Sequence, residues 1–309
     1  MSGRPRRRRA VVTAVLAPPL CTALVLALLT AAWLAGIRIP IASGSTWFEV
    51  TKVGQVHFAD EPNQPVFFLA LGNDGRRGET VTRGDAIHVI GVNPALHAAT
   101  ILDIPRDTGA EIPGHGIDKI NAANAYGGLK LEAQTVGNLV GVRIPYAITT
   151  NFDGFIGMVD EVGGVTVNVP TAMNDSYSGA VFQPGLQHMN GEMALAFSRD
   201  RHDFATGDIK RTENQGLVIL SALAQLRQQN TGAVGTLKLL AILGRHVQME
   251  GVGLVDLYRL GRLGLGIDPA NVRNVVTPVE SGVGTRLALG AGAQGLFADF
   301  ADDGVLQTH

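Results

Sequence analysis

The chain has 309 residues, 46% hydrophobic and 17% charged, enough apolar material for one large folded domain or two small ones, which excludes a disordered protein. Arg4, Arg6, Arg7, Arg8 and Arg9 take five of the 25 basic residues, so 20 basic face 27 acidic residues in the rest of the chain. The bulk of the protein therefore offers no basic face for nucleic acid.

Residues 1–9 read as a basic tail and 10–37 as a transmembrane helix. Pro18 and Pro19 interrupt the apolar stretch, yet 20–37 alone approaches the roughly 20 residues that a span requires. Arginines before it predict an N-terminus in the cytoplasm and a single-pass plasma-membrane protein whose C-terminal part lies outside. The alternative is a cleaved signal peptide, whose apolar region is ordinarily about 7 to 15 residues. Cys21, the one cysteine, lies in this segment, so the outer part has no disulfide and no thiol chemistry.

Residues 38–64, with Ser43-Gly44-Ser45 and Glu61-Pro62-Asn63, read as a stalk leading to a globular domain over 65–300, with 301–309 as a loose tail. Apolar runs rich in β-formers predict strands at 66–71, 86–92, 99–104, 144–150, 165–169 and 272–276. Helical patterns fall at 129–139, 152–162, 191–197, 236–247 and 254–263, and Asp208 is the expected N-cap of a long helix reaching about residue 229. This alternation predicts an α/β layered domain with a central, mostly buried β-sheet flanked by helices.

Four segments combine arginine with an acid: Gly72-Asn73-Asp74-Gly75-Arg76, Ile104-Pro105-Arg106-Asp107, Ser198-Arg199-Asp200-Arg201 and Asp208-Ile209-Lys210-Arg211. Asp74 follows a buried strand directly, where ligands bind in open α/β sheets; its other reading is an Asx turn. Asp85 precedes the next strand and supplies a second carboxylate. Two aspartates with phosphate oxygens and water make an ordinary Mg²⁺ environment.

Pro105 ends a strand, so Arg106 and Asp107 project from a loop at the same sheet edge as Asp74 if the strands are parallel; a surface ion pair is the alternative. In an extended segment Arg199 and Arg201 leave one face together, which suits an anion between them or a solvated strand end. Arg211, in the first turn of a helix, opposes the macrodipole unless a phosphate also binds there. Gln215 shares its face, and Lys119 with Asn121 either joins the group or lines a solvated helix.

Other chemistries find no support. There is no Gly-x-x-x-x-Gly-Lys-Ser/Thr loop, no Gly-x-Ser-x-Gly elbow and no histidine pair at metal-ligand spacing with a glutamate. The apolar helices after Gln215 serve either as core or as walls for a lipid chain.

Taken in order, the segments resemble the LytR-CpsA-Psr family of cell-envelope proteins. The resemblance rests on Ile104-Pro105-Arg106-Asp107-Thr108, Lys119-Ile120-Asn121-Ala122-Ala123, the run from Val159 to Pro170, and Gly191-Glu192-Met193-Ala194-Leu195-Ala196-Phe197-Ser198-Arg199-Asp200-Arg201. It implies an enzyme that moves a glycopolymer from a polyprenyl pyrophosphate carrier to peptidoglycan through a phosphodiester bond. It also implies Mg²⁺ at Asp74 and Asp85, and pyrophosphate held by Arg106, Arg199, Arg201 and Arg211, with Arg76, Lys119 and Gln215 near the head group. Asp107 is one choice of general base. Asn214 stands where the family usually repeats an arginine, and Asp85 is flanked by Gly84 and Ala86 rather than serine and threonine. The rival readings are a polyprenyl pyrophosphate hydrolase with water as acceptor, and a noncatalytic protein that binds the lipid carrier.

Overall fold

The computed structural model describes residues 48–54, 64–73, 83–229 and 246–307. The expected cytoplasmic tail and membrane helix, most of the expected stalk, Asp74, Arg76 and most of the helix expected at 236–247 lie outside the described residues. Among the described residues no helix is long and apolar enough to cross a membrane.

In chain order the first half holds β1 (Phe48–Lys52), β2 (Val66–Asn73), β3 (Gly84–Asn93), β4 (Ala98–Asp103), β5 (Gly109–Ile112), β6 (Gly116–Lys119), α1 (Ala122–Val140), β7 (Tyr146–Thr150) and α2 (Phe152–Glu161). Then come β8 (Val165–Val169), β9 (Met173–Asp175), β10 (Ala180–Phe182), β11 (Gly185–Met189), α3 (Gly191–Arg199) and α4 (Gly207–Gln229). The last are β12 (Val247–Glu250), α5 (Leu254–Gly266), β13 (Val272–Val276), β14 (Val279–Ser281), β15 (Leu287–Leu289) and α6 (Ala293–Asp303).

Seven strands form the central sheet in the order β12-β1-β7-β2-β3-β4-β13. One face carries Phe67, Leu69, Leu71, Ile87, Val89, Leu102 and Ile104 against α1 and α6, with Phe67 meeting Phe300 edge-on at 5.3 Å. The other carries Val50, Phe68, Val92 and Tyr146 toward α5, while α4 crosses β3, β4 and β13. Gly216 lets α4 approach closely, because a side chain there would collide with the Asn274 amide on β13. Strands alternate apolar residues between two covered faces, which is why they read as nearly continuous hydrophobic runs.

Strand direction decides where the chemistry lies. β3 runs antiparallel to both β2 and β4, so those two are parallel to each other; β7 is parallel to β2 and β13 to β4. The carboxyl ends of β2, β4, β7 and β13 and the start of β3 therefore share one edge of the sheet.

Several expectations need correction. The globular domain begins before Pro65, because Phe48–Lys52 is a strand inside the central sheet, pairing with β7 and β12. Val247 opens a strand rather than closing a helix. The strand at Val165–Val169 forms but, among the described residues, pairs with β11 alone in a separate two-stranded sheet, over a second core of Val159, Phe182, Met189, Phe197 and Val218. The expected C-terminal tail is packed as far as it is described: α6 runs to Asp303, and Leu306 is buried with its N–H donating to Thr100 Oγ1 at 3.2 Å.

Candidate functional site

Pro105 ends β4, and Thr108 closes a turn back onto it, with both its N–H (2.9 Å) and its hydroxyl (2.7 Å) donating to the Pro105 carbonyl. That turn carries Arg106 out of the sheet edge. The Arg106 carbonyl accepts from Asn121 N–H at 3.3 Å, and Asn121 O accepts from Gly84 N–H at 3.4 Å, so the loops before β3 and before α1 are tied together here.

Arg106 then meets two carboxylates from different elements. One Nη hydrogen-bonds Asp85 at the start of β3, and the other lies 3.6 Å from Asp208 Oδ1 in the first turn of α4. Arg211, one turn further along α4, lies 2.8 Å from the same Asp208 oxygen and donates to the Asp85 carbonyl at 3.4 Å. The Asp85, Arg106 and Asp208 side chains are 22%, 23% and 25% exposed, and that of Arg211 only 9%. The cluster is thus shielded but open to a ligand.

The electrostatics show an excess of positive charge. Burial works to lower the Arg106 pKa, but Asp208 and Asp85 outweigh it and raise it. For Arg211 burial dominates and lowers the pKa, and the like charges of Arg106 and Arg201 add to that despite Asp208 and Asp85. Three guanidiniums therefore act on a site with two carboxylates, and an anion between them relieves the repulsion. Arg106 Nε and Arg211 Nε are buried with no hydrogen-bond acceptor among the described residues, and Asp208 Oδ2 has no donor.

The remaining predicted residues lie around this centre with different partners. Arg199 and Arg201 do not share an extended segment, because Arg199 closes α3 and Asp200 is its C-cap. The Arg199 guanidinium lies 4.9 Å from the centroid of the Phe152 ring at the start of α2, a cation–π contact at the same sheet edge. Asp200 is fully buried; burial raises its pKa to about 6, with Asp203 and Asp175 adding to the rise. Lys119 Nζ lies 3.0 Å from Asp107 Oδ1, which makes Asp107 the partner of a lysine. Gln215 Nε2 donates to the Ser198 carbonyl at 3.2 Å and so joins α4 to α3.

Asp208, read from the sequence as the acid of the fourth arginine segment and as a helix N-cap, was given no site role of its own. It is not an N-cap but a first-turn residue whose carboxylate lies between two arginines. The available signal was its i,i+3 spacing from Arg211. Among the described residues no group of three His, Cys, Asp or Glu side chains could hold a metal. Of the two aspartates expected to hold Mg²⁺, Asp85 is the one described, and its carboxylate accepts a hydrogen bond from Arg106.

Comparison with known proteins gives this geometry a context. A polyisoprenyl-teichoic acid–peptidoglycan teichoic acid transferase, TagU from Bacillus mycoides (strain KBAB4), is 40% identical over 162 residues, 52% of each chain. The chain thus spans about half the length of the curated relatives it matches. The structure of TagT bound to LIIa-WTA superposes with a TM-score of 0.65 at 26% identity, over 82% of this chain and 96% of that one. The LytR-CPS2A-psr family protein YwtF (TagT) with bound octaprenyl pyrophosphate lipid gives 0.59 at 22%, over 83% and 95%, a likeness of fold. The LytR_cpsA_psr family model matches residues 43–294, and the chain belongs to that family.

Proposed function

We propose that the protein is a phosphotransferase of the cell envelope, which moves a glycopolymer from a polyprenyl pyrophosphate carrier to peptidoglycan. The observation that carries this reading is the convergence of Arg106 and Arg211 on Asp85 and Asp208 at the sheet edge, within the field of Arg201. Guanidinium forks suit phosphate oxygens geometrically, and a shielded site strengthens their hold. The 40% identity to a named teichoic acid transferase and the octaprenyl pyrophosphate held by TagT support the choice of substrate class.

In this mechanism the arginines neutralise the pyrophosphate and align it, and a peptidoglycan hydroxyl attacks the phosphorus that bears the glycan. The new P–O bond forms to the acceptor oxygen, the bridging P–O bond breaks, and polyprenyl phosphate leaves. The hydroxyl proton goes to a base or to water. Positioning and charge stabilisation carry such reactions, so no covalent nucleophile is needed. We assign Mg²⁺ to Asp85 together with Asp74; when bound it adds positive charge beside the phosphates. Asp107, held by Lys119, is less suited to be the base than a free carboxylate.

The protein is further proposed to be membrane-anchored, with residues 1–9 in the cytoplasm and the domain outside; cleavage of the domain by protease added to intact spheroplasts is the expected result, and full protection would refute it.

The decisive experiment incubates full-length protein with lipid-linked glycan, Mg²⁺ and peptidoglycan fragments. The expected product is a glycan–peptidoglycan conjugate with polyprenyl phosphate. Free glycan phosphate without conjugate would replace this reading with hydrolysis, and binding without turnover would replace it with a carrier-binding role.

A further inference from the structure

Arg201 is followed by a built feature that the arginine cluster does not use. His202 Nδ1 lies 3.0 Å from Asp175 Oδ2, and Asp175 is buried at the end of β9. The same carboxylate accepts from Tyr177 N–H at 2.9 Å, and the Asp175 carbonyl from Gly179 N–H at 2.9 Å, so Asp175 organises the β9–β10 turn. Asp203 adds a second tie by accepting from Asn174 N–H. The turn is thereby fastened to the loop that carries Arg201.

On top of that fastening, the Tyr177 and His202 rings lie against each other at a 35° tilt with centroids 4.6 Å apart. Tyr177 is 79% exposed, although its backbone and one ring face are fixed. A loop-tip tyrosine with no role is ordinarily free to move; this one is held as a platform with its second face open. With Nδ1 committed to Asp175, His202 keeps Nε2 for another partner.

We propose that the Tyr177–His202 pair, braced by Asp175, is a saccharide subsite that seats the acceptor glycan beside Arg201. A pyranose ring presents a face of C–H groups that packs on an aromatic face, and a rim of hydroxyls that needs hydrogen-bond partners. Tyr177 supplies the flat face, and Tyr177 Oη with His202 Nε2 supply the rim. His202 directly follows Arg201, whose charge acts on Arg211, so the subsite adjoins the segment that reaches the arginine cluster. The assignment of the saccharide as acceptor rests on the proposed transfer reaction.

The test uses full-length protein in detergent and two probes: inorganic pyrophosphate, and glycan fragments released from peptidoglycan by muramidase. Tyr177→Ala is expected to weaken fragment binding by ten-fold or more while leaving pyrophosphate affinity unchanged, and Tyr177→Trp to restore it. Asp175→Asn should weaken it several-fold by loosening His202. In the transfer assay Tyr177→Ala should raise the acceptor KM with kcat little changed. Fragment affinity equal in wild type and Tyr177→Ala, or no fragment binding by wild type, overturns the subsite. Failure of the transfer reading shows separately, as fragment binding that depends on Tyr177 with no conjugate formed.

Discussion

Two side-chain pairs join β3 to the β4 segment, one at the sheet edge and one three residues inward, and they are used oppositely. At the sheet edge Asp85 and Arg106 are about a quarter exposed, and their cluster retains unused hydrogen-bonding capacity. Three residues further along β3 and three residues back along β4, His88 and Asp103 lie 2.6 Å apart and are 3% and 0% exposed. Burial raises the Asp103 pKa although His88 lowers it, and Asn274 lies close enough to contribute. The outer group is open to a ligand. The inner pair is sealed from solvent, although Asp103 Oδ2 has no hydrogen-bond partner among the described residues, and it joins the strands that present the outer group.

That contrast yields opposed expectations. Arg106→Ala should cut transfer by about 10²- to 10³-fold, the scale for losing one preorganised charge-stabilising donor, while urea stability changes by less than about 1 kcal/mol. Arg106→Lys should fall between, since it keeps the charge but loses the fork. Equal activity in all three proteins would break the contrast from the outer side. His88→Leu should instead cost roughly 3 to 5 kcal/mol by stranding a buried carboxylate, whereas the double change of His88 and Asp103 to Leu should recover most of it. If His88→Leu unfolds no more easily than wild type, the inner pair is not a structural tie.

The outer group was more legible in the sequence than the fold around it. Asp85, Arg106 and Arg211 each stand beside an element end that Pro105, a strand start or a helix start announces, so their meeting needed β3 and β4 to be antiparallel neighbours and α4 to cross them. Asp208 was obscured because aspartate before a helix reads as a cap. Strand β1 was read as stalk, although Phe48-Glu49-Val50-Thr51-Lys52 alternates, because five residues beside a polar run carry little periodic signal. Helix α6 shows Leu296, Phe297 and Phe300 at helical spacing, yet what buries them is the far-off β2 and β3, a contact no local window contains.

A third case sharpens what a buried carboxylate does without a cation. Glu132 of α1 is fully buried, and its Oε2 accepts from Asn124 N–H at 2.7 Å across the bend at Gly127 and Gly128. Burial raises its pKa from 4.5 to about 8, only partly opposed by that hydrogen bond. The folded state therefore keeps a proton that the unfolded state releases between those values, and the associated stability is full below about 4.5 and lost as pH rises through about 8. This carboxyl should contribute a fall of about 1.4 kcal/mol per pH unit within that window, and Glu132→Gln should flatten the profile of urea midpoints. A wild-type slope unchanged by the substitution would show that Glu132 ionises freely in the fold.

The smallest expected effect concerns Asn214, one turn along α4 from Arg211. Its amide is fully buried, and neither Nδ2 nor Oδ1 has a hydrogen-bond partner among the described residues. An idle buried amide costs about 1 to 3 kcal/mol, so a nearly isosteric apolar replacement should be neutral or stabilising. If Asn214 belongs with the inner, structural residues, Asn214→Leu should raise stability by roughly 1 kcal/mol and leave pyrophosphate affinity untouched. If it belongs with the outer cluster, the same change should weaken pyrophosphate binding several-fold, because the amide then serves the ligand that Arg211 holds. Calorimetric titration of both proteins with pyrophosphate, beside their urea midpoints, assigns Asn214 to one side of the contrast.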